Sequence, residues 1–129
     1  MLELPSDKNL IKANVFREKC PARYLLNKVS GKWSILIIDV LDDKNMRNGE
    51  LLRLVEGISQ KMLTQTLREL EELKLVVRHD MKTIPPHVEY ELTELGKSLC
   101  EIICAMDRWI EDNMLEIVTN NKALHVKYV

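Results

Sequence analysis

The sequence predicts an α+β fold that is mainly α-helical. Apolar residues recur at helical spacing over most of the 129 residues, and the clearest such pattern covers residues 59–73. Two stretches with strand character follow at 75–81 and 87–92, separated by a Pro-Pro pair that cannot continue a central strand. Two helices joined by a short turn and followed by a two-stranded hairpin form a winged helix-turn-helix domain.

Two further helices precede this unit. The first begins at Pro21, because proline is favoured at the first helical position, where its missing N–H would be unpaired anyway. The second covers residues 32–41 and has a buried stripe at helical spacing, formed by Trp33, Leu36, Ile37, Val40 and Leu41. After a polar turn, Asn48 is expected to cap a short helix at 49–55, the first helix of the helix-turn-helix.

A long helix follows the hairpin and is predicted at 94–118, with Thr93 as its N-cap. At about 1.5 Å per residue it extends about 40 Å, and its apolar stripe is longer than one small domain can cover. We expect it to pack, with the N-terminal helix, against a second copy of the chain; packing entirely within its own domain is the alternative. The predicted organisation is an arm at 1–19, a winged helix-turn-helix domain with dimerisation helices at 20–118, and a tail at 119–129.

Composition and charge indicate an ordinary globular protein with an uneven charge distribution. Hydrophobic residues make up 46% and charged residues 30%, and no apolar run approaches the roughly 20 residues that cross a bilayer. The start, MLELPSDKNL, lacks a basic region followed by an apolar block, so we expect no signal peptide and a cytoplasmic location. The net charge is −1, yet residues 59–68 contain Lys61 and Arg68 and no acid, whereas residues 89–118 contain eight acids.

The acid-free stretch occupies the N-terminal half of the second helix of the helix-turn-helix, the half that enters the DNA major groove in such domains. One face of this half contains residue types that donate to phosphate or read base edges: Lys61, Thr64, Gln65 and Arg68, with Gln60 at its margin. Ser59 is a candidate DNA contact that also suits the N-cap, and Thr66 is expected to pack inward. The alternative is a solvated amphipathic helix without a partner.

Additional candidate DNA contacts lie outside this helix. The hairpin carries Arg78, Lys82 and Thr83, which could grip the neighbouring DNA backbone, and Lys32 and Arg47 could reach phosphates. Each of these could instead be an ordinary surface residue. A two-fold dimer would place two groove helices one DNA turn apart, about 34–36 Å, and read a palindromic operator in double-stranded DNA. A winged-helix module that binds protein through the same surface is the competing interpretation.

Cys20 is a candidate sensor of oxidants or electrophiles. It directly precedes the helix that starts at Pro21, and the positive helix end together with nearby Arg17, Lys19 and Arg23 favours the reactive thiolate. The alternative is a small residue in a helix cap. Whether the signal is an oxidant or a small molecule is left open by the sequence.

The remaining cysteines and the histidines indicate no chemistry. Cys100 and Cys104 are spaced i, i+4 at the margin of the long helix's stripe, as small core or interface residues would be. The three histidines, at positions 79, 87 and 125, are scattered, and no metal-ligand spacing is present. Phosphate-binding glycine loops and nucleophile motifs are also absent, so we expect no enzymatic activity, no metal and no cofactor.

The chain resembles the HxlR-type transcriptional regulators, winged-helix proteins related to the MarR group. The resemblance rests on CP at 20–21, GKW at 31–33, GEL at 49–51, GISQKMLTQTLRELE at 57–71, LVVR at 75–78 and PPHVEYELTELG at 85–96. It implies cytoplasmic homodimers that bind operator DNA and repress or activate nearby genes. In some members the cysteine before the proline senses oxidants or electrophiles, and that position is Cys20 here.

Two positions depart from the family pattern. Asn48 stands where the family usually has an aromatic residue, and we expect only local repacking there. Lys74 stands where the family commonly has the glycine that suits a left-handed helix C-cap. Lys74 must therefore adopt a strained backbone conformation, or the helix must end in another way.

Overall fold

The computed structural model describes residues 12–128, which form a winged helix-turn-helix with flanking helices. The first eleven residues of the predicted arm lie outside the described residues. The elements in chain order are α1 (Pro21–Val29), α2 (Lys32–Val40), β1 (Met46–Arg47), α3 (Asn48–Leu54), α4 (Gln60–Glu72), β2 (Val76–Asp80), β3 (Val88–Leu92), α5 (Glu94–Asn120) and α6 (Lys122–Tyr128). The predicted fold class is confirmed.

The core forms where α2, α3 and α4 meet the sheet and the first turns of α5. Its fully buried side chains come from all of these elements and include Ile37, Leu51, Leu63, Leu70 and Cys100, each 0% exposed. Burial of an aliphatic side chain of this size stabilises the fold by about 1.5–3 kcal/mol. Three of the four buried residues of α4 are leucines at helical spacing, so they form one buried face. The opposite face of α4 is therefore exposed to solvent or to a ligand.

Both ends of α4 are set by local hydrogen bonds. Ser59 is the N-cap, as predicted, and its hydroxyl accepts a bond from the Met62 amide at 3.1 Å. At the other end Lys74 has a φ of 63°, in the left-handed region. The amides of Lys74 and Leu75 donate to Glu71 O and Leu70 O, both at 3.0 Å, which is the Schellman arrangement. Of the two alternatives for Lys74, the strained backbone is therefore the one observed.

The sheet has three strands, in the order β1–β3–β2, and all pairs are antiparallel. The sequence predicted only the β2–β3 hairpin and assigned the segment before α3 to a polar turn. In the structure Met46 pairs with Tyr90 and Arg47 with Glu89. The prediction missed β1 because a two-residue strand has no periodicity of its own and exists only through its partner.

Two helix boundaries also differ from prediction. Helix α3 begins at Asn48, and Arg47 rather than Asn48 is its N-cap, since the Arg47 amide donates to the Glu50 carboxylate at 3.2 Å. At the C-terminus α5 continues to Asn120, and α6 occupies most of the segment predicted as a tail. Thr93 caps α5 as predicted, accepting from the Gly96 amide at 3.0 Å. None of the helices within residues 12–128 combines the length and apolar character needed to cross a bilayer.

Candidate nucleic-acid interface

The helix-turn-helix consists of α3, the connection at 55–59 and α4. The connection is two residues longer than predicted, and its chain reversal uses Gly57 at a φ of 88°, which strongly favours glycine. The Trp33 ring of α2 lies 3.7 Å from the position of a Cβ on Gly57, so α2 supports the turn from beneath. Ile58 is buried at 8% exposure and anchors the turn in the core. These contacts hold α4 at a defined angle to the rest of the domain.

The outer surface of α4 contains one continuous polar face, which we call the α4 polar face. Its members are all exposed: Gln60, Lys61, Thr64, Gln65 and Arg68. The Gln60 side-chain amide donates to the Thr64 hydroxyl at 3.0 Å. Among the ion pairs of residues 12–128, none includes Lys61 or Arg68, so both cations are available to an external anion. The sequence predicted correctly that these five residues share one face of the helix.

Two residues near this face are occupied with structural hydrogen bonds. Ser59 is exposed at the start of the helix, but its hydroxyl caps the helix. Thr66 is 4% exposed and packs inward as predicted, with its hydroxyl donating to Met62 O at 2.7 Å. The Ser59 hydroxyl can still donate its own proton to a phosphate, because capping uses only an oxygen lone pair.

A polar network joins α1 to the α4 polar face, and sequence reasoning missed it. Glu69 Oε1 accepts from Lys28 Nζ and from Gln65 Nε2, both at 3.3 Å. The side chains of Lys28 and Glu69 are 29% and 30% exposed, so this ion pair is screened less than one in open solvent. Gln65 is therefore positioned by a residue of α1, 41 positions away from Glu69 in the chain. Only the packing of α1 beside α4 reveals this connection.

Lys32 and Arg47 lie in elements that adjoin the helix-turn-helix. The Lys32 ammonium lies 4.3 Å from the centroid of the Trp33 ring, whose far edge touches the turn at Gly57. This cation–π contact holds Lys32 close to the turn that leads into α4. Arg47 is exposed at the N-cap of α3, and its strand pairing places it at the edge of the sheet.

The wing formed by β2 and β3 contains the remaining candidate DNA contacts. Arg78 is exposed in the middle of β2, opposite Tyr90. Lys82 and Thr83 lie in the exposed tip, where the Lys82 amide donates to Asp80 Oδ1 at 2.9 Å and the Thr83 hydroxyl donates to Pro85 O at 2.9 Å. The tip residues are thus ordered by bonds of the loop itself, and the Lys82 ammonium is left free of them.

The two histidines of the wing each face a glutamate. His79 Nε2 lies 3.1 Å from Glu91 Oε1, and His87 Nε2 lies 2.6 Å from Glu89 Oε2. The hydrogen bond from His79 lowers the pKa of Glu91. These pairs hold the two glutamates against the wing by hydrogen bonds.

Cys20 occupies the N-cap position of α1, as predicted, and is partly exposed. Its pKa is lowered, chiefly because the backbone amide of Asn14 donates to Sγ at 3.3 Å. The Arg23 side chain does not contact the thiol, since it donates to Val15 O at 2.7 Å and Phe16 O at 3.1 Å. Backbone amides, more than the neighbouring cations expected from the sequence, therefore favour the thiolate.

The other two cysteines lie together in a separate place, at the junction of α2 and α5. Cys100 Sγ and Cys104 Sγ are 4.0 Å apart, and Cys104 Sγ is 3.8 Å from Asp39 Oδ1 and 3.9 Å from Asp42 Oδ2. Burial raises the pKa of both thiols. Burial, and then the neighbouring Asp107 carboxyl, raise the pKa of Asp39 to about 7. The sequence showed only two cysteines one helical turn apart, because Asp39 and Asp42 come from α2 and the residues just after it, far away along the chain.

Comparison with known proteins identifies relatives over nearly the whole chain. Residues 28–117 match the model of the HxlR-like helix-turn-helix family. The HTH-type transcriptional regulator YtfH of Escherichia coli (strain K12) is 37% identical over 118 residues, which cover 92% of this chain and 94% of that protein.

Solved structures agree with this assignment. The transcriptional regulator YtfH of Salmonella typhimurium has a TM-score of 0.79 and 38% identity, covering 84% of this chain and 96% of that one. The oxidised form of the redox regulator HypR has a TM-score of 0.68 and 39% identity, covering 73% of this chain and 97% of its own. The chain therefore belongs to the HxlR-like helix-turn-helix family and is a transcriptional regulator with a winged helix-turn-helix DNA-binding domain.

Proposed function

We propose that the protein acts as a homodimer that binds a palindromic operator in double-stranded DNA through the α4 polar face and the wing. The observation that carries this proposal is the α4 polar face itself. Five exposed side chains able to donate hydrogen bonds follow a helix seated on a helix-turn-helix, and two of them, Lys61 and Arg68, are cations outside the ion pairs of residues 12–128. In a helix that only faces solvent, acids would be equally acceptable in the N-terminal half, at residues 59–68, and in the C-terminal half.

We assign each side chain of the proposed interface a role according to its position. Gln65, held by Glu69, and Thr64 lie where a helix in the major groove presents side chains to base edges. Lys61 and Arg68 lie beside them and suit phosphates or guanine. Ser59, Lys32 and Arg47 flank the helix and are assigned to the DNA backbone. In the wing, the cations Arg78 and Lys82 and the hydroxyl of Thr83 are assigned to the adjacent backbone.

Exposed apolar surface on α5 and α1 supports the homodimer. The 27-residue α5 extends about 40 Å, yet its buried residues all lie in its first ten positions. The exposed members of its stripe are Leu95, Ile102, Met106, Trp109, Ile110 and Ile117, and α1 adds Tyr24, Leu25 and Leu26. Exposed apolar residues in this number are typical of a protein interface. A two-fold axis beside α5 would present two α4 helices to successive major grooves.

The experiment for DNA binding is selection of genomic fragments by the purified protein, followed by affinity measurements at several salt concentrations. Each phosphate contact contributes roughly 0.9 to the slope of log affinity against log salt. Replacing Lys61 and Arg68 by alanine in both subunits removes up to four contacts, so the slope should fall by up to roughly 3.6. The matched control replaces Lys122 and Lys127 of α6, which changes the net charge equally and should leave the slope intact.

Oligomeric state is measured on the same samples, since loss of the dimer would also weaken binding. An unchanged affinity and slope in the Lys61→Ala, Arg68→Ala protein would show that α4 is not the groove helix. A shallow salt dependence in the wild type, with no competition by duplex DNA for a protein partner, would favour the protein-interaction module instead.

The partly exposed thiol of Cys20 favours a second, compatible function, the sensing of oxidants. The Asn14 amide donates to the sulfur, and HypR, a structural neighbour, is a redox regulator. The thiolate would attack one oxygen of hydrogen peroxide, breaking the O–O bond to give sulfenic acid and hydroxide. The α1 helix that begins beside Cys20 is bound to α4 through the Lys28–Glu69 pair, which provides a physical route to Gln65.

Peroxide response of DNA binding tests this second function. DNA affinity is compared for wild type, Cys20→Ser and Cys104→Ser, each with and without mild hydrogen peroxide. We expect peroxide to change the affinity of the wild type and of Cys104→Ser and to leave Cys20→Ser unaffected. Equal responses in all three proteins would remove Cys20 from the mechanism.

A further inference from the structure

A cluster of sulfur and oxygen donors lies between α2 and α5, away from the α4 polar face and from Cys20. We call it the thiol–carboxylate cluster; its members are Asp39, Asp42, Cys100 and Cys104. The donor atoms of Asp39, Cys100 and Cys104 all lie within 4.8 Å of one another. Asp42, just beyond the end of α2, places Oδ2 3.9 Å from Cys104 Sγ. DNA binding, dimerisation and the chemistry of Cys20 require none of these groups.

The spacing of the donors is close to that of a tetrahedral zinc site. With Zn–S bonds near 2.3 Å, two sulfurs of a tetrahedron lie about 3.8 Å apart, and a sulfur and an oxygen about 3.5 Å apart. The two sulfurs here are 4.0 Å apart, and the oxygens of Asp39 and Asp42 lie 3.8 and 3.9 Å from Cys104 Sγ. The distances from Cys104 Sγ therefore exceed the tetrahedral values by only a few tenths of an ångström, and Asp39 and Cys100 lie within 4.8 Å of each other.

The charge around the cluster also requires an explanation. Asp39 lies near both Asp42 and Asp107, and the salt bridges found among residues 12–128 include none of the three. Cysteines that only fill space in the core would not need carboxylates beside them, and neighbouring carboxylates of like charge repel each other. A divalent cation would neutralise this repulsion and satisfy the sulfurs at the same time.

We propose that Asp39, Asp42, Cys100 and Cys104 form a site for one thiophilic divalent cation of the Zn²⁺ class, which links α2 to α5. Two sulfur donors select against Mg²⁺ and Ca²⁺, which prefer oxygen. Binding displaces the two thiol protons into solvent, since the thiolate is the ligand. Asp107 lies beside Asp39 and is not counted among the ligands. Because α2 packs against both α5 and α4, the ion would also stiffen the support of the α4 polar face.

The test uses the full-length reduced protein after treatment with a chelator and removal of that chelator. Cd²⁺ is the first probe, because thiolate ligation produces a sulfur-to-cadmium charge-transfer absorption in the ultraviolet. Zn²⁺ affinity is then measured by competition with a chromophoric chelator. We expect one equivalent of ion per chain, with the absorption intensity of two thiolates.

Matched variants locate the site. Cys104→Ser should abolish most of the charge-transfer absorption. Both Cys104→Ser and Asp39→Asn should weaken Zn²⁺ binding at least tenfold, because even the loss of a residue that only supports a ligand typically costs tenfold or more. The controls are Cys20→Ser, which removes the third thiol of the chain, and Asp43→Asn, which removes an exposed neighbouring carboxylate. Both controls should bind as the wild type does. Circular dichroism confirms that each variant is folded.

Several outcomes would overturn the proposal. The absence of a charge-transfer band in the wild type would exclude the site. Retention of the band and of Zn²⁺ affinity in Cys104→Ser, or their loss in Cys20→Ser, would place any bound ion elsewhere. Unchanged Zn²⁺ affinity in Asp39→Asn would show that the thiols bind without α2, so that the ion does not link the two helices.

Discussion

The close approach of α5 to the start of the wing predicts that Gly96→Ala strongly destabilises the fold. A Cβ at position 96 would lie 2.1 Å from Leu75 O and 3.2 Å from Leu92 Cδ2. Since contacts below 3.0 Å do not persist, α5 and the backbone at Leu75 must separate by about 1 Å, which is an overpacking of the kind that costs 1–3 kcal/mol or more. Backbone atoms form the main contact, so a side-chain rotation cannot relieve it.

The same separation disturbs the cap of α5. Leu75 O accepts the Thr93 amide at 3.0 Å, and the Thr93 hydroxyl donates to Lys74 O at 2.7 Å while accepting the Gly96 amide at 3.0 Å. Losing such a cap costs about 1 kcal/mol. Adding this to about 2 kcal/mol for overpacking gives an expected loss of about 3 kcal/mol in the free energy of unfolding.

Urea unfolding measures this loss, at one fixed protein concentration because dimerisation would contribute to stability. Gly49→Ala is the control: no heavy atom lies within 4 Å of its added Cβ, and position 49 is in α3. Alanine there should stabilise the protein by about 0.5–1 kcal/mol through helix propensity. If Gly96→Ala lost less than about 1 kcal/mol, α5 could not lie against Leu75 as closely as described.

Three further predictions concern single positions. Lys74→Gly should raise the free energy of unfolding by about 0.5–1 kcal/mol, because glycine relieves the left-handed strain at a φ of 63°, whereas Lys74→Ala should gain nothing; urea unfolding of both distinguishes strain from a side-chain effect. Cys20 should be alkylated by iodoacetamide faster than an unstructured cysteine at pH 7 and before the buried Cys100, as followed by peptide mass spectrometry; modification of Cys100 first would contradict the lowered pKa of Cys20. With chelator present, Asp39→Asn should stabilise the protein above pH 7. The folded-state pKa of Asp39, about 7, exceeds that of the unfolded chain, so the folded state binds the extra proton and wild-type stability falls as pH rises from about 4 to about 7. Unfolding midpoints at pH 4 and pH 8 check this, and an equal effect of the substitution at both would refute it.

Local sequence patterns predicted most of the helices because their causes are local. Ser59 and Thr93 each accept a hydrogen bond from an amide three residues later, and both helix starts were predicted from these residues alone. The leucines of α4 identified its buried face, and the absence of acids identified the outer one. The sequence could not predict β1, since two residues become a strand only when Met46 and Arg47 meet β3.

The candidate sites divide in the same way. The α4 polar face could be predicted because its five residues share one helix and lie within nine positions of the chain. The position of the Gln65 side chain could not be predicted, because Gln65 donates to Glu69, and Glu69 is itself held by Lys28 of α1. The lowered pKa of Cys20 was predicted from the helix N-terminus and the nearby cations. The amides at the start of α1 do contribute, but the largest contribution comes from the amide of Asn14, while the Arg23 side chain points to carbonyl oxygens.

The sequence by itself therefore determined the order of α1 to α5 with the β2–β3 hairpin, the family and the acid-free face of α4, because periodicity, capping and charge are properties of neighbouring residues. Tertiary structure alone decided which distant groups meet. Asp39 and Cys104 are 65 positions apart, and only the packing of α2 on α5 brings their side chains to 3.8 Å. A pattern along the chain records what each helix presents, whereas the distances between helices follow from how the buried faces fit together.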